Sequence, residues 1–228
     1  MPSPYMYLVC DDMPELEPGD SISTSVQTAL PWGNPSAETT LTYVGPADDV
    51  RFEHYTVLHQ VEQTVDVIVR QEAVHEVLDN NRFHAYYNRA EGYFLVTTKR
   101  KHAQGAFARL VRAPNPINAT PVTIPLLDVR EVGETTGGHF GNLSIAKVRS
   151  AAVFGTTTVA DSEEWAHYAE HGELSALYMR ASTETGDERP LQLMRDRSVV
   201  LMKDAGERLN LEFVAELQAS LDDLLKAD

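Results

Sequence analysis

The polar and apolar positions of this 228-residue chain follow a strand period in some stretches and a helix period in others. YMYLVC (5–10) is apolar without alternation, which predicts a strand buried on both faces. A loop rich in Pro, Asp and Ser comes next (DDMPELEPGDSISTS), and Trp32-Gly33-Asn34-Pro35 marks a second turn. TLTYV (40–44), then VRFEHYTVLHQ and TVDVIVR between 50 and 70, alternate and are β-branched, so they predict strands. QEAVHEVLDN (71–80) reads as a short helix ending at Asn80-Asn81. FHAYYNR and GYFLVTT flank the turn NRAEG, a β-hairpin signal with Gly92 at its end.

The helix period is clearest in two places. In KRKHAQGAFARLVRA, residues Ala103, Ala106, Phe107, Leu110 and Val111 make one apolar stripe; Pro114 stops it, and Thr97 or Thr98 is placed to cap its start. In NLEFVAELQASLDDLLK the stripe is Leu211, Val214, Leu217, Leu221 and Leu224, with Asn210 as N-cap. Between them VTIPLLDV reads as strand or short helix, GETTGGHFGN (133–142) as a glycine-rich loop, and LSIAKVRSAAVFG mostly as strand. Asp161 opens a helix SEEWAHYAEH with Glu164 placed as in a capping box, and Gly172 ends it. LSALYMRAS and LQLMRD flank the turn TETGDERP, and SVVLMKD comes after a tight turn at Arg197.

Two segments, AYYNRAEGYFLVTTKRKHAQGAFARLV and QLMRDRSVVLMKDAGERLNLEFVAELQ, share the order strand, turn, strand, connector, helix. The expected class is therefore α+β: mainly antiparallel sheet with packed helices, organised as two β-hairpin–α units. The expected division is an N-terminal region 1–113 and a C-terminal region 122–228, or one continuous domain.

Composition adds little until charge is divided along the chain. The formal net charge is −15. Residues 1–81 carry 14 acids against two bases, 82–149 ten bases against four acids, and 150–228 sixteen acids against seven bases. Positive charge thus belongs to the middle third. VTTKRKHAQGAFARLVRA (96–113) holds five of the 19 lysines and arginines and no acid. Lys99, Arg100 and Lys101 sit where a strand hands over to a helix, the end where unpaired N–H groups and the helix dipole already attract anions. Cations there oppose the helix and suit an arriving phosphate. Arg109 and Arg112 extend the charge along the helix, and Arg82 and Arg89 add to it from the hairpin. Tyr86, Tyr87 and Tyr93 offer rings for base stacking.

The expected function is non-catalytic binding of a nucleic-acid phosphate backbone by Lys99, Arg100, Lys101, Arg109, Arg112, Arg89 and Tyr87, without a cofactor. Two alternatives stand beside it. One is a protein-interaction or adaptor subunit with an acidic surface, or a homo-oligomer. The other is a metal-dependent phosphodiesterase or nuclease using Asp11, Asp12 or His139. His167 and His171 face one side of a helix with Glu163, but Tyr168 stands where the zinc-hydrolase motif has its glutamate. His54 and His59, five apart in a strand, fall on opposite faces.

The Gly137-Gly138-His139 loop lacks the Lys-Ser/Thr ending of a nucleotide-binding P-loop, so a surface connection is expected. Cys10 is the only cysteine, which rules out an internal disulfide and suits a small core residue. No apolar run approaches the ~18–20 residues of a membrane span. The N-terminus has no basic n-region, so a cytoplasmic location is expected. Without a secretory signal the acceptor patterns at Asn118 and Asn142 carry no meaning.

Overall fold

The computed structural model describes residues 2–28, 36–69, 72–145, 147–183 and 186–227. The turn expected at Trp32–Pro35 lies outside them. Among the described residues the fold is sheet-dominated: eleven strands against three helices, 44% strand against 20% helix. Within each of its two units the strand pairings run antiparallel. That corrects the expectation of an α+β protein built from packed helices and hairpin–helix units. Strands continue through segments that local propensity assigns to helix or loop, because a long neighbouring strand offers them a ladder of backbone hydrogen bonds.

The two compact units are residues 8–121 and residues 1–7 with 122–228. In the first, β2 (Ser21–Gln27), β3 (Ser36–Pro46), β4 (Glu53–Val69), β5 (Glu72–Asn88) and β6 (Tyr93–Val96) form a meander in chain order. Residues 71–80, expected as helix, fall from Glu72 onward in β5, paired with β4 out to Val69↔Glu72. The end of the expected loop at Ser21–Ser25 is β2, whose Ile22 is buried between exposed serines.

Cross-strand register gives this sheet two unlike faces. One row runs Ile22–Leu41–Val57–Phe83, all buried. The adjacent rows on the other face read Ser21–Thr42–Thr56–His84 and Ser23–Thr40–Leu58–Arg82, with only Leu58 apolar. Helix α1 (Arg100–Leu110) covers the buried face with Ala103, Ala106, Phe107 and Leu110. The Phe107 ring lies 5.1 Å from that of Phe94. Burial of Phe107 and of Leu110 contributes about 2 kcal/mol each. The cap differs from expectation: it is Lys99, and no side chain bonds to the helix start.

The second unit orders its strands β1 (Ser3–Val9, of which residues 3–7 belong to this unit), β11 (Val199–Leu201), β10 (Glu188–Met194), β9 (Glu173–Ser182), β7 (Gly133–Gly141), β8 (Ala151–Phe154). Tyr5, Met6, Tyr7 and Leu8 of β1 are buried in succession, as an unbroken apolar run requires. The expected loop at 133–142 is almost wholly β7. A Cβ on Gly138 would fall 2.6 Å from Trp165 and one on Gly137 2.5 Å from Phe154, so these glycines let rings close on the strand. VTIPLLDV forms neither strand nor helix. It ends in a turn, and a 3-10 turn at Arg130–Val132 comes after it. Strand structure in LSIAKVRSAAVFG is confined to β8.

Helix α2 (Glu163–His171) is capped by Ser162, whose hydroxyl accepts from the Trp165 amide, rather than by an Asp161–Glu164 box. Helix α3 (Glu207–Ala227) starts three residues before Asn210. Asn210 is buried and its Oδ1 accepts from Arg189 at 2.8 Å. No helix among the described residues is long and apolar enough to cross a membrane.

Candidate functional site

Helix α1 starts with three bases because the sequence places Lys99-Arg100-Lys101 directly after the short strand β6 and its Thr97-Thr98 exit. All three are exposed, as is Arg112 beyond the helix end. The first turn contains no acid and no side-chain cap, so the positive end of the helix dipole and these cations add.

Arg109 points the other way. It is half-buried, and its Nη1 donates to the Gln60 carbonyl of β4 at 2.7 Å. Burial lowers its pKa. Beside it lies a cleft of about 580 Å³ between α1 and β4–β5, lined by Lys101, His102, Gly105 and Arg109 on the helix side. Val61, Glu62 and Gln63 from β4 and Asp79 from β5 line the opposite side. His59 forms its base. That ring is 3% exposed, its Nδ1 lies 2.9 Å from Thr39 Oγ1, and burial pushes its pKa down to about 4, with Arg109 and His102 adding to the fall.

Gly105 explains how the helix comes so close: a Cβ there would sit 2.9 Å from His59 Nε2. Strand periodicity alone set His59 aside and gave no link between Glu62, Asp79 or His102 and the basic stretch. The one local signal was a glycine in the middle of a helical pattern, which marks a close approach.

The remaining expected residues lie elsewhere. Tyr87 is 2% exposed; its hydroxyl donates to the Cys10 carbonyl at 3.0 Å, and its ring packs 4.7 Å from Phe94. Tyr86 and Tyr93 are buried as well, so none of the three offers a ring face for a base. Arg89 is a clamp. Its Nε and Nη2 donate to the two Glu53 oxygens at 2.7 and 2.9 Å, and its Nη1 to the Met13 carbonyl at 3.0 Å. Burial works to raise the Glu53 carboxyl, but the bonds from Arg89 and Tyr55 overcome it and hold the pKa below the usual range.

Arg82 projects on the hydroxyl-bearing face, beside His84, whose Nδ1 lies 2.9 Å from His54 Nε2. That face is opposite to α1. His139 stands in β7 near Phe154 and Tyr178, at 5.9 and 5.8 Å between ring centroids. Asp11 and Asp12 are exposed. Among the described residues no three His, Cys, Asp or Glu side chains gather as a metal ion requires.

No protein-family model matches the chain, and no curated protein matches it either.

Proposed function

We propose that this protein is a non-catalytic nucleic-acid-binding protein that receives phosphate groups along α1. The observation that carries the reading is the convergence of Lys101, His102 and Arg109 on one cleft, with Lys99, Arg100 and Arg112 exposed on the same helix and its flanks. Arg109 is anchored by Gln60, which leaves its other guanidinium N–H groups for a ligand. A phosphate oxygen accepts from such a fork and from ammonium groups alike, and the uncapped helix start favours negative charge. Arg89 and Tyr87 take no part.

The buried tyrosines argue for contact with the phosphate backbone rather than for reading of bases. Affinity should therefore vary little with sequence. The test is a double charge reversal, Lys99→Glu with Lys101→Glu, titrated against a fluorescent single-stranded oligonucleotide. Both side chains are exposed, so the fold should persist, checked by circular dichroism. Affinity should drop by more than tenfold; a folded variant with undiminished affinity would falsify the proposal.

A further inference from the structure

The cleft beside α1 has walls of opposite charge. Lys101, His102 and Arg109 stand on the helix side and Asp79, paired with Val61, on the strand side. Among the described residues no ion pair joins the two walls. At the base His59 is 97% enclosed and packs against Gly105, yet it lines the cleft and its Nε2 has no hydrogen-bond partner among the described residues. A cleft meant only for a continuous phosphate backbone has no use for carboxylates. The next phosphate along such a strand would be driven against Asp79, and like charges at short range repel.

A chain end resolves this conflict. A phosphomonoester concentrates nearly two negative charges in one group. In a nucleotide that group is joined to a neutral sugar and base rich in O–H and N–H donors, which carboxylates accept; acidic residues hold ribose hydroxyls in this way in dinucleotide-binding folds. We infer that the cleft seats a terminal phosphomonoester, carried by a free nucleotide or by a strand end, with its phosphate on Lys101, His102 and Arg109 and its sugar or base donors on Asp79. This rests on the reading of α1 as a phosphate-binding helix. His59 completes the seat. In the tautomer whose Nδ1 accepts from the Thr39 hydroxyl, the neutral ring carries its proton on Nε2 and can donate it to the phosphate.

The experiment compares five probes on the full chain. They are a nucleoside 5′-monophosphate, the parent nucleoside, and one single-stranded oligonucleotide with and without a terminal phosphate, placed at the 5′ and then the 3′ end. The monophosphate should bind and the nucleoside should not. The phosphorylated strand should bind about tenfold tighter than the hydroxyl-ended one, the equivalent of one charge-assisted hydrogen bond.

Lys101→Gln, at an exposed position, should remove that increment, and Arg109→Gln should do the same. Asp79→Asn should tighten the hydroxyl-ended strand and so shrink the difference. Response to the monophosphate alone identifies a free nucleotide as the source; response to the strand identifies an end. Equal binding of phosphorylated and hydroxyl-ended strands, with no binding of the monophosphate, overturns the inference and leaves the α1 reading standing. No binding of any probe overturns both.

Discussion

Arg89 and Arg109 each bond to backbone carbonyl or carboxylate oxygen, yet their consequences differ because of where the rest of each guanidinium lies. Arg89 uses three nitrogens on Glu53, Met13 and Pro14, and so ties the loop after β1 to β4. Arg89→Lys keeps the charge and loses the planar fork. We expect a loss of about 2 kcal/mol in urea unfolding, as for other bonds to charged groups, with oligonucleotide affinity unchanged. A fall in affinity without a fall in stability would return Arg89 to the binding surface. His59 sets a pH dependence. Its pKa is about 4 in the folded chain against 6.5 for an unperturbed histidine, so between those values the unfolded chain binds the extra proton. The neutral ring's contribution to stability is complete above about pH 6.5 and is lost as pH falls toward 4. The melting temperature should decline across that window, and His59→Gln should flatten this part of the profile. An identical profile for the variant would refute the assignment.

At the level of elements, glycine positions decide more than propensity does. Gly105 lies inside α1, where Gly→Ala ordinarily stabilises a helix by about 1 kcal/mol. Here the added Cβ meets the buried His59 ring at 2.9 Å, and Thr39 holds that ring in place. Gly105→Ala should therefore destabilise the chain, a reversal of sign readable in a urea titration. Gly138→Ala in β7 should also destabilise, since its Cβ would fall 2.6 Å from the enclosed Trp165 ring. A rise in melting temperature for either variant would contradict the packing described. These glycines also show why the sequence was partly legible. The helix stripe at Ala103, Ala106, Phe107 and Leu110 is a local pattern and emerged directly. Gly137-Gly138 resembles a loop in sequence, because the rings that require small residues there come from Phe154 and Trp165.

For the whole molecule the net charge of −15 competes with the local charge of α1. At low ionic strength, with a screening length of about 30 Å at 0.01 M, a polyanion is repelled by the acidic majority before it reaches the helix. At physiological salt the length is about 8 Å, and the cations of α1 act nearly alone. At higher salt counterion release weakens the phosphate contacts themselves, by a slope of about −3.5 in log K against log salt for five contacts on a single strand. Oligonucleotide affinity should consequently pass through a maximum at intermediate salt. A monotonic decline from about 10 mM upward would mean that the acidic majority exerts no field at the site.

The local patterns of the sequence determined the stripe of α1, the turn at Gly92, the buried character of residues 5–8 and the concentration of bases between 96 and 113. Each depends on neighbours within a few residues. Only the tertiary structure decided that residues 72–80 extend a strand, that Arg89 and Tyr87 serve packing, and that His59 and Asp79 meet the basic helix across one cleft. Those outcomes depend on backbone ladders and side-chain contacts between segments 20 to 77 residues apart in the chain, such as Thr39 with His59 and Cys10 with Tyr87. Such contacts leave no periodic trace in the sequence.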